Sequence, residues 1–131
     1  MAIPRPKRPP LVIALQTEAT LLMSVAIGQA GFAAAFIGGQ KGYKAVHAIN
    51  AWLVVAATVV LLVTAVVYAR RGGPRWPAAA SLGLLVVEAV QITLGEVELV
   101  AVHVFLGVLF VSMATALTSY LFRLSFRRRP A

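Results

Sequence analysis

The chain has 131 residues, 60% of them hydrophobic and 12% charged, and a mean hydropathy of +0.88. That composition lies outside soluble globular usage and inside the membrane class. Its lack of cysteine excludes disulfides, thiolate metal sites, iron–sulfur clusters and covalent c-type haem attachment. The net charge of +8 would suit nucleic acid, but the basic residues form short clusters at the ends of apolar stretches without interleaved aromatics, so no nucleic-acid partner is expected.

The first apolar stretch covers 12 to 38, after Arg5, Lys7 and Arg8. It is too long for the hydrophobic region of a signal peptide and leads through a short polar turn into another span, so it is expected to stay in the mature protein. Glu18 reads as a solvated or arginine-paired helix end and Gln29 as an interhelical hydrogen-bond partner. Ala30, Ala34 and Gly38, like Gly31 and Ala35, recur every four residues, which suits close packing on span four or on a second protomer. Gly38, Gly39 and Gly42 mark the first turn. Span two, 45 to 69, opens with His47, followed by Asn50, Ala51 and Trp52; Trp52 lies off the histidine face and reads as a lipid or packing contact. Arg70 to Pro77, with Gly72, Gly73 and two prolines, is the second loop. Span three, 77 to 95, carries Glu88, Gln91 and Gly95 on one face, and Gly95 with Glu96 marks a tight third turn. Span four, 98 to 122, carries His103, Gly107 and Phe110, then Thr115, Thr118 and Ser119, whose hydroxyls can satisfy their own helix backbone.

Each stretch approaches or exceeds the roughly 20 residues that cross a hydrocarbon core. The predicted fold is therefore a single all-α membrane domain over 1–131, with lipid as its surroundings. Short connections make sequential helices antiparallel, giving an up-down-up-down four-helix bundle in which spans two and four are parallel and diagonal. Arg5, Lys7, Arg8, Arg70, Arg71, Arg75, Arg123, Arg127, Arg128 and Arg129 fall on one side, and only Lys41 and Lys44 on the other, with Glu96 and Glu98. The positive-inside rule then puts both termini in the cytoplasm and the protein in the cytoplasmic membrane. Tyr68, Trp76 and Tyr120 fall near the inner interface and Tyr43 near the outer one, as interfacial aromatics do.

His47 and His103 are the only histidines. Both lie near the outer end of their spans, within roughly 4 to 8 Å of it at the helical rise. Gln29, a turn and His47 parallel Gln91, a turn and His103, so the bundle reads as two duplicated hairpins around a pseudo-two-fold axis. Two imidazoles suffice as axial ligands of a porphyrin iron, whereas a bare zinc site asks for three or four protein ligands. Non-covalent haem b held by His47 and His103 is thus the sharpest expectation. Ala51 and Gly107, one turn below the histidines, leave room for a macrocycle edge; Phe110 could cover it and Asn50 could orient His47. Lys41 and Lys44 stand where propionates would emerge. The plain alternative is that each histidine only hydrogen-bonds across helices, Ala51 and Gly107 serving ordinary close packing.

Glu88 is costly at mid-span, about 2.5 to 3.5 kcal/mol on insertion scales, and so is a candidate proton acceptor or part of a quinone or substrate pocket with Gln91. The alternative is a protonated carboxyl bonded to Gln29 or to a hydroxyl of a neighbouring helix.

The segments KAVHAINAWLVV and LVAVHVFLGVLF, opening spans two and four, resemble one half of the heme A synthase fold and small bacterial four-span proteins of the same plan. In those halves the second and fourth helices each carry a histidine. The resemblance spans the membrane region and implies a b-type haem on His47 and His103. The chain departs from the family in having no acid in Lys41 to Val46, before His47, and no outer-loop cysteine pair. Heme O oxidation is therefore not carried over.

Two function classes follow. One is a membrane b-type haem protein for electron transfer, haem handling or haem-dependent oxidation near the outer face, with a quinone or membrane redox partner. The other is a cofactor-free accessory or interaction subunit, as a homo-oligomer or within a larger membrane complex.

Overall fold

The structure is a computed structural model that describes residues 9–124. The basic residues Arg5, Lys7, Arg8, Arg127, Arg128 and Arg129 lie outside the described residues. Four helices form it: α1 Pro10–Ile37, α2 Tyr43–Arg70, α3 Trp76–Glu96 and α4 Val100–Arg123. All four are long and apolar enough to cross a membrane, and the chain is a multi-pass membrane protein with lipid-facing helices. They are apolar around their whole circumference, as helices in hydrocarbon are. Prolines sit in the first turns of α1 and α3, where the missing N–H would lack an intrahelical partner anyway.

Neighbours in sequence are neighbours in space. The helices α1 and α3 each pack on both α2 and α4, so α2 and α4 are parallel and diagonal, as the loop lengths predict. At the end with the α2–α3 loop, called inner after the sequence expectation, Trp76 meets Tyr120 edge-on with ring centroids 5.8 Å apart, and Arg123 lies over Tyr120. At the opposite end, called outer on the same expectation, Phe32 stacks on Tyr43 at 6.1 Å.

Burial divides the bundle into two halves. Among the described residues, every buried one lies within 12–26 of α1, 50–65 of α2, 77–88 of α3 or 110–121 of α4. In α1 these are Val12, Leu15, Gln16, Ala19, Leu22 and Ala26, at three- and four-residue spacings that face the bundle axis. Leu15, Leu22, Leu61, Leu84 and Leu121 are fully enclosed. Beyond Ala26, Asn50, Glu88 and Phe110 no described residue of the outer half is buried.

The small-residue stripe is one reason. Ala30, Ala34 and Gly31 are exposed, and a side-chain carbon added at Gly31 would touch nothing within 4 Å. The expected close packing of this stripe on span four is therefore not made; its side chains are too short to reach across the outer half. The hydroxyls of Thr115 and Thr118 bond their own helix, to Val111 and Ala114 at 2.7 and 2.8 Å, as expected.

Candidate functional site

The open outer half encloses a cavity of about 680 Å³ between all four helices. That is within the range of small-molecule and cofactor sites. Its floor is the layer where burial begins, with Ala26, Val54, Glu88 and Phe110 among its walls, and His47 and His103 line it above. Ala51, Gln91 and Gly107 line it too, so the sequence-predicted site residues converge on one space; Asn50 stands just behind the wall, buried. Exposed Ala34, Ala48, Val104 and Val108 are also among the lining, so the cavity is not closed off from its surroundings.

His47 and His103 stand four and three residues past the first residues of α2 and α4, about 6 and 4.5 Å along the axis at 1.5 Å per residue. Their rings are neighbours, with centroids 6.0 Å apart and planes at 73°. The repeated Gln–turn–His pattern has a physical content that spacing alone did not give. In each hairpin the histidine Nδ1–H donates to the main-chain carbonyl of the glutamine on the preceding helix: His47 to Gln29 at 3.2 Å and His103 to Gln91 at 2.8 Å. A carbonyl only accepts, so both imidazoles carry the proton on Nδ1 and present a lone pair at Nε2.

Gly95 stands against His103: a side-chain carbon there would meet the ring at 3.4 Å, about van der Waals contact. Gly95 was expected in the third turn, yet it lies inside α3, which continues to Glu96; the turn itself is Val97 to Leu99, with Glu98 at φ +57°.

The glutamine side chains diverge. Asn50 Nδ2 donates to the Val25 carbonyl and to Gln29 Oε1, at 3.0 and 2.9 Å, which turns the Gln29 amide nitrogen onto His47 Nε2 at 3.3 Å. Gln91 instead lays its amide over Gly107, its Nε2 3.2 Å from the place a side-chain carbon would occupy. Asn50 thus orients the His47 environment through Gln29 rather than by touching the ring.

Glu88 is 5% exposed. Its Oε1 lies 2.5 Å from Thr58 Oγ1, which is also 3.1 Å from the Val54 carbonyl, and its Oε2 is enclosed without a partner. Thr58 has one hydrogen for two acceptors, and a proton on Glu88 would supply the second. The hydroxyl is the alternative that the sequence allowed for, and Gln29 is engaged elsewhere.

Glu18 corrects the sequence reading. It lies eight residues into α1, half-buried, and accepts a hydrogen bond from Thr64 Oγ1 at 2.9 Å, while its Oε2 is enclosed without a partner. It is no solvated end, and among the described residues no arginine pairs with it. The available signal was its place next to Ala19 and three residues from Leu15, beside the buried stripe.

Both histidines line one cavity, each with Nδ1 on a carbonyl and its lone pair on Nε2, a donor set of the kind that could hold a haem iron. Nδ1–H held by a carbonyl is the usual support of a ligating histidine. Among the described residues no three His, Asp or Glu side chains come together to hold a bare ion. The fold and site define a four-helix membrane bundle with a paired-histidine cavity. Comparison with protein-family models, curated proteins and solved structures gives no match.

Proposed function

We propose that the chain is an integral membrane b-type haem protein whose haem His47 and His103 would hold. The observation that carries this reading is the pair of rings 6.0 Å apart, each with Nδ1 on a carbonyl, in a largely apolar cavity between all four helices. Bound there, the haem would supply one-electron redox chemistry, tuned by its axial ligands and its burial. The chain's own part is to orient the imidazoles through Gln29 and Gln91, exclude water with the apolar walls and hold a proton at Glu88 on the cavity floor. Lys44, at the outer mouth, would meet the propionates.

In the cytoplasmic membrane with both termini inside, this cavity lies toward the outer face. Its apolar, open lining suits electron exchange with a quinone or a membrane redox partner. Electron transfer, haem handling and haem-dependent oxidation all fit this placement.

The test is a reduced-minus-oxidised spectrum of the purified protein. A low-spin, bis-histidine b-type spectrum is expected, and the haem should extract into acidified organic solvent because no cysteine tethers it. Replacing both His47 and His103 by Ala should abolish stoichiometric haem. If the wild-type protein made with ample haem is colourless, or the double variant keeps its haem, the accessory-subunit reading takes its place.

A further inference from the structure

The two hairpins are alike in their glutamine and histidine and differ three and four residues after each histidine. Asn50 and Ala51 follow His47 at these positions; Leu106 and Gly107 follow His103. Both differences act on the glutamine amides. Asn50, fixed by the Val25 carbonyl, holds Gln29 Oε1 and leaves the Gln29 amide nitrogen on His47 Nε2. Leu106 has no amide to do this for Gln91, and Gly107 gives the Gln91 side chain a seat that a methyl group would crowd at 3.2 Å. His47 therefore has both ring nitrogens engaged, at 3.2 and 3.3 Å. His103 has a shorter Nδ1 bond of 2.8 Å, and its Nε2 makes no hydrogen bond among the described residues.

We infer that the two histidines are unequal by construction: His103 is the open, anchoring ligand, and His47 is an exchangeable one whose Nε2 is capped by Gln29 under the control of Asn50. The inference rests on the haem reading for its ligand and on the hydrogen bonds for its asymmetry. A lone pair that accepts the Gln29 N–H must give that bond up before it can bind a metal, whereas the His103 lone pair has nothing to release. An exchangeable sixth position lets a small neutral ligand reach the iron, which two equally held histidines would resist. Gln29 and Asn50 are positioning residues in this scheme.

Two measurements separate the parts. In the full chain purified without added haem, diethyl pyrocarbonate should acylate Nε2 of His103 about tenfold faster than that of His47, the worth of one hydrogen bond. Gln29→Ala should bring the two rates within about twofold, and Asn50→Leu, which copies the sister hairpin, should do the same. In the haem-loaded, reduced protein, carbon monoxide should displace His47, and His47→Ala should keep its haem and bind carbon monoxide faster. His103→Ala should hold haem at least about tenfold more weakly, the loss typical when ligation is disturbed. Gln29→Ala should slow carbon monoxide binding, because the uncapped His47 competes better. Equal acylation rates in the wild type, equal haem loss in the two histidine variants, or carbon monoxide binding unaffected by Gln29→Ala would overturn the inference. A chain that stays colourless overturns the haem reading itself and with it the ligand assignment. That failure is told from the others by colour alone.

Discussion

Glu88 and Glu18 share an arrangement on opposite flanks of α2. Each offers one carboxyl oxygen to a threonine hydroxyl of that helix, Thr58 or Thr64, and each keeps its second oxygen enclosed without a partner. Only Glu88 borders the cavity. If it takes up a proton when a bound haem is reduced, the midpoint potential falls as pH rises, by at most about 59 mV per pH unit for one electron. Glu88→Gln keeps the shape and removes the titrating group, so potentiometric titration of the variant should show a flatter pH dependence with haem still bound. An unchanged slope would leave Glu88 a structural residue. Glu88, His47 and His103 were legible in the sequence because a polar side chain in an apolar span stands out. Glu18 was not, because nearness to a basic N-terminal segment looked like an interface, and only packing shows how far inside the bundle a carboxyl lies.

The ends of the helices follow one rule at three places. Gln40 N bonds Ala35 O, Gly73 N bonds Tyr68 O and Leu99 N bonds Leu94 O, each at 3.0 Å and five residues back. Such a closure puts the preceding residue in the left-handed region. Gly39 and Gly72 meet that need at φ +96° and +88°, but the third position is Glu98 at +57°. Glu98→Gly should therefore stabilise the fold by about 1 kcal/mol, the cost of a side chain in that conformation less the added freedom of the unfolded glycine. A thermal melt in detergent, followed by circular dichroism, should show a higher midpoint; a lower one would mean that the Glu98 side chain makes a contact worth more than the strain. The two glycine turns were visible in sequence. The third reads too early in the sequence because Gly95 looks like a turn residue, whereas in the fold it lies inside the last turn of α3 against the His103 ring.

At the scale of the molecule the antiparallel order was legible from hydrophobic lengths and short loops alone, since few other topologies join four spans this tightly. Orientation in the membrane is tested by labelling single cysteines. Gln40→Cys should react with an impermeant reagent from outside and Pro74→Cys only from inside; the reverse would put the cavity on the cytoplasmic side. Gly73 is the poorer inner site, because a side chain there would run into the Tyr68 ring at 2.6 Å. What composition could not show is that burial stops at Ala26, Asn50, Glu88 and Phe110, since apolar residues continue unchanged beyond that layer and only their mutual distances differ.

That boundary makes the bundle a body of two stabilities. The inner half has interlocked leucines to hold it, while the outer half, carrying the histidines, can loosen without disturbing the rest. Backbone amides of 27–37 and 100–109 should exchange with deuterium sooner than those of 12–26 and 110–121, and uniform protection along each helix would contradict this. A ligand that bridges the outer helices would then do for that end what the leucines do for the other, and its binding should register as slowed exchange confined to the outer half. The occupant, in effect, would be the missing part of the core.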